Sequence, residues 1–137
     1  MKVIFDTNIY ISWIRSKEYS DLMLDQYTQK YMSAIVLTEL WAGAKSKQAG
    51  RIIEKLQSSY IKADRIIPLS FNDSIKAGQI ISDFPENLKN KIKTAGFIHD
   101  IYVSLTAISI GAALYTENKS DFELIKEYLP KLKVNFL

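Results

Sequence analysis

Short apolar segments alternate with longer segments of helical periodicity along the whole chain, and this alternation limits the folds open to it. The short segments are predicted strands, at residues 2–5, 31–33, 65–69, 112–115 and 132–136. The longer segments are predicted helices, the first around residues 9–14 and the others at 19–30, 35–44, 47–60, 72–83, 86–96, 97–111 and 120–129. Such alternation favours an α/β fold with a mainly parallel sheet and helices on both faces. Because ligands of such sheets lie beyond the carboxyl ends of the strands, where the strand order reverses, we expect the functional site there.

The composition narrows the class of protein. A length of 137 residues fits one domain spanning residues 1–137, large enough to bury a core without covalent cross-links. The absence of cysteine excludes disulfides, iron–sulfur clusters and thiolate zinc sites. No apolar run reaches the length of a membrane span, and Asp6 comes too early for a secretory signal. We therefore expect a cytoplasmic protein without a membrane partner.

The net charge of +3 is compatible with a polyanionic partner. Lys45, Lys47 and Arg51 lie close together, and with Lys55 they include four-residue steps that place basic side chains on one helix face. This face is interpreted either as an RNA-binding strip or as an ordinary solvated surface. Further lysines are grouped at positions 89, 91 and 93 and at positions 131 and 133.

Two acidic residues of the first half stand out by their position. Asp6 directly follows the first predicted strand, where it would also serve as a helix N-cap. Glu39 is the single acid in the mostly apolar stretch from Ile35 to Ala42. Burying an unpaired carboxylate is costly, so Glu39 lies either in a polar pocket or at the solvated edge of the apolar face.

Two further acids lie in the second half. Asp100 belongs to a helix that is apolar on nearly all sides, so it is expected near a cleft, or in the first turn as a partner of the helix dipole. Asp121 is accounted for by a capping box of Ser120 and Glu123. That box does not account for the polar residues Thr116 and Asn118 at the end of a predicted strand, which would deliver them to the same sheet edge.

Four acids drawn from distant segments into one pocket would repel each other unless a cation joined them. For a site made of oxygen ligands the expected cation is Mg²⁺ or Mn²⁺, and such sites suit hydrolysis of phosphodiesters. His99 is the only histidine, so nucleases that use two histidines are excluded and His99 is expected to be a structural or surface residue. Glycine-rich phosphate-binding loops and the G-x-S-x-G motif are also absent.

Taken together, four segments in this order resemble the motifs of the PIN domain, most closely those of VapC-type toxins from type II toxin–antitoxin pairs. The resemblance covers essentially the whole chain. The segments are Phe5-Asp6-Thr7-Asn8, Ser33 with Thr38-Glu39-Leu40 and Gly43, Asp100-Ile101 with the helix that leads to Gly111, and Thr116 with Asn118 and Asp121-Phe122. Tyr102 and Val103 depart from the pattern, because the family often has small residues there.

The resemblance implies a three-layer α/β/α fold and an Mg²⁺- or Mn²⁺-dependent endoribonuclease that cuts tRNA, rRNA or mRNA. It also implies a homodimer and inhibition by a cognate antitoxin protein. Carried over to this sequence, the catalytic and metal-binding acids are Asp6, Glu39, Asp100 and Asp121. Their supporting polar residues are Thr7, Asn8, Thr116 and Asn118, which would hydrogen-bond the acids, a water molecule or the phosphate.

Two other interpretations of the sequence are possible. One is a non-catalytic module that binds nucleic acid or protein through a degenerate PIN site, but such a module would not need all four acids. A receiver-like domain would need paired acids after the first strand, where only Asp6 is found. The apolar residues Trp13, Ile14 and Trp41 are interpreted as core packing, or as a surface for a second copy or an antitoxin helix.

Overall fold

The computed structural model describes residues 1–137. The strands are β1 (Lys2–Phe5), β2 (Gln29–Ser33), β3 (Ile66–Ile67), β4 (Ala113–Thr116) and β5 (Lys133–Phe136). The helices are α1 (Thr7–Ser16), α2 (Ser20–Leu24), α3 (Ala34–Ala42), α4 (Lys47–Lys62), α5 (Phe71–Asp83), α6 (Lys89–Ile92), α7 (Ala95–Ile110) and α8 (Lys119–Tyr128), with a 3₁₀ turn at Glu86–Leu88.

The five strands form one sheet in the order β3-β2-β1-β4-β5, and every pairing is parallel. The central strand β1 pairs on both sides, with Ile4 opposite Tyr31 of β2 and Leu114 of β4. Because parallel crossovers are right-handed, the connections from β1 to β3 place their helices on one face and those from β3 to β5 on the other. The predicted α/β fold with a parallel central sheet is confirmed.

The core lies on both sides of β1. Val3, Ile4 and Phe5 are fully buried, as is typical of a strand covered by helices on both faces. On one side α7 contributes a long series of buried residues, and its Phe97 packs edge-on against Phe84 with the ring centroids 5.6 Å apart. Helix α7 is therefore packed into the core along much of its length. No helix combines the length and the apolar character that a membrane crossing requires.

The predicted helix at residues 19–30 is wrong. Only the short helix α2 forms there, and it ends before Asp25. The backbone is extended from Gln29, where Lys2 of β1 pairs with it. Pairing with the central strand therefore outweighs the local helical pattern, since hydrogen bonds to β1 satisfy a whole row of backbone groups.

The predicted segment at residues 86–96 is also wrong in its extent. A 3₁₀ turn and the four-residue helix α6 replace one helix, and α7 already begins at Ala95. Gly96 therefore lies inside the first turn of α7 and does not end a helix. Asp100 falls in the second turn, so the alternative that it is a first-turn acid is excluded. The predicted strand at 65–69 is reduced to Ile66–Ile67.

Helix α8 is capped differently from the prediction. Its N-cap is Asn118, whose Oδ1 accepts a hydrogen bond from the Asp121 N–H at 3.4 Å. Ser120 lies within the helix, so the predicted capping box with Glu123 is wrong. Asp121 does lie in the first turn, where its negative charge interacts favourably with the helix dipole. The cap places the Asn118 side chain at the carboxyl end of β4.

Candidate active site

A cavity of about 350 Å³ opens at the carboxyl ends of β1 and β4. This is the point where the strand order reverses, because the chain leaves β1 toward β2 on one side and returns to β4 on the other. The lining residues are Asp6, Thr7, Asn8, Ile11, Glu39, Thr94, Gly96, Phe97, Asp100, Asn118 and Asp121. All four acids singled out in the sequence therefore line one cavity.

Asp6 is fixed by three neutral donors. Its Oδ1 accepts the Thr7 N–H at 2.8 Å, and its Oδ2 accepts Thr116 Oγ1 at 2.7 Å and Asn8 Nδ2 at 3.1 Å. Asp6 is thus the N-cap of α1 and also lines the cavity, so its role as a helix cap is compatible with a role in the site. Burial raises the pKa of Asp6 above its usual range; the hydrogen bonds oppose this, whereas the charge of Glu39 adds to it.

Glu39 reaches the cavity from α3 and is partly exposed. Thr7 Oγ1 donates to its Oε1 at 2.8 Å, which links α3 to the start of α1. His99 Nδ1 lies 3.5 Å from its Oε2. Glu39 is therefore neither deeply buried nor fully solvated, and one of its oxygens faces the only histidine of the chain.

Asp100 is the most perturbed acid of the site. It is only 8% exposed, and its Oδ2 accepts Asn118 Nδ2 at 3.3 Å. Burial, followed by repulsion from Asp6, Asp121 and Glu39, raises the pKa of Asp100 to about 8, and the hydrogen bond from Asn118 opposes the shift only in part. The cavity therefore holds more negative charge than its own neutral donors can stabilise.

Asp121 carries a cationic partner. Asn118 Nδ2 donates to its Oδ2 at 2.9 Å, and Lys91 Nζ lies 2.7 Å from its Oδ1. The Asn118 amide thus bridges Asp100 and Asp121. The four supporting polar residues each contact an acid: Thr7, Asn8, Thr116 and Asn118.

The donor set suits a hard divalent cation. Four carboxylates line one cavity, and burial followed by their mutual repulsion raises the pKa of Asp100. No three His, Asp or Glu side chains are arranged as a ready-made metal site. Mg²⁺ is commonly held by one or two carboxylates and completes its octahedral shell with water and substrate phosphate. The residues present therefore fit an ion of that kind bound through a pair of carboxylates.

Some residues of the site were not anticipated from the sequence. The sequence pattern marks Lys91 only as part of a lysine group and His99 only as a structural or surface residue. Thr94 and Gly96 line the cavity, whereas the pattern predicts them at the end of a different helix. No local pattern joins Lys91 to Asp121, because their contact depends on how α6 and α8 each pack against α7.

The basic residues Lys45, Lys47 and Arg51 are exposed and do not line the acidic cavity. They lie around the start of α4, beside a groove of about 350 Å³ between α1, α3 and α4. Ile11 and Glu39 line both the groove and the acidic cavity, so the two adjoin each other. The lining of the groove is largely apolar and includes Ile14, Leu40, Ala44, Ala49, Ile52 and Ile53.

Comparison with known proteins agrees with this geometry. The model of the PIN domain family matches residues 3–127. The ribonuclease VapC1 of Rickettsia felis is 35% identical over 129 residues, covering 92% of each chain. The ribonuclease VapC of Rickettsia bellii is 31% identical over 134 residues, covering 93% of this chain and 92% of the relative.

Solved structures show the same architecture. A chain of VapBC2 from Rickettsia felis, bound to a DNA fragment from their promoter, superimposes with a TM-score of 0.69 at 27% identity, covering 100% of this chain and 99% of the other. The parallel sheet with acids at its switch point is that of a PIN domain. The chain belongs to the PIN domain family and, within it, to the VapC group.

Proposed function

We propose that the protein is a divalent-metal-dependent endoribonuclease and the toxin of a toxin–antitoxin pair. The observation that carries the proposal is the convergence of Asp6, Glu39, Asp100 and Asp121 on one cavity at the switch point of the sheet. The VapC relatives, which are named as ribonucleases, support the choice of RNA as substrate. We also propose that it acts in the cytoplasm, on cellular RNA.

In this proposal Asp6 and Asp100 hold the cation, and Glu39 lies beside it. When bound, Mg²⁺ or Mn²⁺ supplies positive charge that polarises the phosphodiester and lowers the pKa of a water molecule. Thr7, Asn8 and Thr116 keep the Asp6 carboxylate in one orientation. Glu39 Oε2 accepts a proton from the attacking water, and the oxygen of that water bonds to phosphorus. The P–O bond to the departing ribose oxygen breaks, and that oxygen takes up a proton from solvent water.

RNA must approach an acidic cavity, and basic residues at its margin make this favourable. We propose that Lys45, Lys47 and Arg51 contact the RNA backbone, because they are exposed basic residues around the start of α4, and other residues of α4 line a groove that adjoins the cavity. Replacing Lys47 and Arg51 by Gln should weaken RNA binding and reduce its salt dependence. The same change at Lys62, at the other end of α4, is the matched control.

The test of the nuclease is cleavage of total cellular RNA by purified protein with Mg²⁺, Mn²⁺ or EDTA. Asp6→Asn and Asp100→Asn should each lower the rate by about 1,000-fold or more, since several kcal/mol of charge stabilisation are lost. Asp83→Asn, the same change on an exposed surface, should cleave like the wild type. Metal-independent RNA binding without cleavage would instead favour a non-catalytic binding module.

We also propose that a cognate antitoxin silences the protein by occupying the apolar groove, since the matched structures include VapBC pairs. Ala49→Glu would place a charge in the groove and should prevent inhibition by a co-expressed candidate antitoxin. Ala63→Glu, on the exposed end of α4, should leave inhibition intact. Inhibition that survives Ala49→Glu would exclude this groove as the antitoxin site.

We further propose that the protein forms a homodimer, which light scattering of the purified chain would test.

A further inference from the structure

Lys91 is the one lysine or arginine whose side chain forms an ion pair within the acidic cluster. Its Nζ lies 2.7 Å from Asp121 Oδ1. The other two lysine pairs, Lys89–Glu86 and Lys119–Glu123, join residues one helical turn apart on exposed surfaces. The contact of Lys91 instead joins two distant segments at the rim of the cavity.

The ammonium of Lys91 is held in place from two sides. Besides the contact with Asp121, it lies 5.8 Å from the centroid of the Phe97 ring, close enough for a cation–π interaction. Phe97 is 2% exposed and lines the cavity, so its ring offers a fixed platform. The Lys91 side chain is 37% exposed, which leaves part of it open to a ligand.

Asp121 differs from the other acids in how its charge is compensated. Both of its oxygens are engaged, Oδ2 by Asn118 Nδ2 and Oδ1 by the Lys91 ammonium. Asp6 is also engaged on both oxygens, but by neutral donors that leave its negative charge in place. Asp100 accepts a side-chain hydrogen bond through Oδ2 alone. A cation would therefore gain more from Asp6 and Asp100 than from Asp121.

We propose that Lys91 is a built-in cation of the site, so that the site takes one divalent ion, at Asp6 and Asp100, and not two. Lys91 keeps Asp121 from ligating metal and presents its ammonium to a phosphate of bound RNA. Asp121 is then a positioning residue for Lys91. This inference rests on the proposed nuclease function.

The chemistry of lysine suits this role. An ammonium is a compact point charge with three donors, so it can contact Asp121 and a phosphate oxygen at once. It also delivers positive charge to the rim at the point where a second divalent ion would otherwise use Asp121 as a ligand.

The first experiment counts metal ions without RNA. Metal-free protein is titrated with Mn²⁺, and free Mn²⁺ is followed by electron paramagnetic resonance. The wild type and Lys91→Arg should bind one Mn²⁺ per chain. Lys91→Met, which keeps the length but removes the charge, should bind a second Mn²⁺ because Asp121 is freed. Lys93→Met changes an exposed neighbour that forms no ion pair with an acid of the cavity, and this variant should bind one.

The second experiment measures cleavage at saturating Mn²⁺. Lys91→Met should lower kcat/KM by about 10- to 100-fold with a raised KM for RNA, since a charged phosphate contact is lost. Lys91→Arg should recover most of this loss, and Lys93→Met should resemble the wild type. A structural role of Lys91 alone would not move the Mn²⁺ count.

The outcomes separate the two proposals. Two Mn²⁺ ions bound to the wild type, or a Lys91→Met protein identical to the wild type, would overturn the role of Lys91. If the wild type cuts no RNA with any metal, the nuclease proposal fails, and the Mn²⁺ count still decides whether Lys91 displaces metal. Should Lys91→Met not fold, Asp121→Asn gives the answer. Its Mn²⁺ affinity should stay near that of the wild type, whereas a loss of tenfold or more, as expected for a true ligand, would contradict the proposal.

Discussion

Asp100→Asn should stabilise the metal-free protein while it abolishes the proposed cleavage. The substitution keeps the shape of the side chain and removes one charge from a cavity lined by three other acids. The Asn oxygen can still accept the hydrogen bond from Asn118, and its amide can donate to a neighbouring carboxylate. The change therefore relieves repulsion without leaving a polar group unpaired.

The magnitude follows from the pKa of Asp100, which is raised from 3.8 to about 8 in the folded protein. Each unit of pKa shift corresponds to about 1.36 kcal/mol. At pH 7 the folded protein must take up a proton that the unfolded chain has released, which costs on the order of 4 kcal/mol as an upper value. Allowing for relaxation and water in the cavity, we expect a gain of about 1–3 kcal/mol for Asp100→Asn.

The stability gained by Asp100→Asn should depend on pH. Because the folded pKa lies above the unfolded one, the wild type binds more protons when folded, and its free energy of unfolding falls as the pH rises from about 4 to about 8. The Asn variant lacks this contribution. Its advantage should therefore be absent near pH 4 and complete near pH 8.

The assay is urea or thermal unfolding in EDTA across this pH range. A gain of about 1–3 kcal/mol corresponds to roughly 3–12 °C in Tm for a domain of this size. Asp83→Asn, an exposed aspartate, should change the Tm by about 1 °C or less. If Asp100→Asn were no more stable than the wild type at pH 8, the assignment of Asp100 to a repulsive, desolvated site would be refuted. Added Mg²⁺ or Mn²⁺ should stabilise the wild type and remove much of the difference.

Three further predictions concern single contacts. Thr116→Val removes a donor to Asp6 and should weaken Mn²⁺ binding about 10-fold or more, whereas Thr116→Ser should restore it; equal affinity of both variants would contradict the role of the hydroxyl. Tyr10→Phe leaves the buried Tyr60 hydroxyl without its 2.8 Å partner and should lower the free energy of unfolding in urea by about 1–2 kcal/mol. A negligible effect would indicate that a water molecule replaces the lost hydroxyl. Gly111→Ala places a methyl group on a residue with φ of 69° at the end of α7 and should lower the free energy of unfolding by about 1–2 kcal/mol, and an unchanged Tm would show that the turn relaxes.

The fold was predicted from local information where that information was strong. The apolar run Val3–Phe5 of β1 and the mostly apolar helix that contains Asp100 have patterns typical of a buried strand and a buried helix. Residues 19–30 show the limit of such patterns. Their helical periodicity is real, but Gln29–Ser33 extends because β1 has an open edge to be paired, and nothing in the local sequence reports that edge.

The site was predicted in its parts more than in its contacts. The positions of Asp6 and Thr116 after two strands were sufficient to bring them to one edge, since parallel strands end on the same side. The partners of Asp121 were not predictable in this way. Ser120 offered a familiar capping pattern, yet Asn118 forms the cap, because the end of β4 delivers it to the first turn of α8.

The sequence by itself determined the parallel α/β architecture and the collection of acids at one edge, because hydrophobic periodicity and strand polarity act along the chain. Only the tertiary structure decided how the charge of those acids is balanced. The perturbation of Asp100 depends on burial among three other carboxylates, and the pairing of Lys91 with Asp121 depends on the packing of α6 beside Phe97. Electrostatic energies depend on distance and desolvation in space, and a linear sequence specifies neither until the chain is folded.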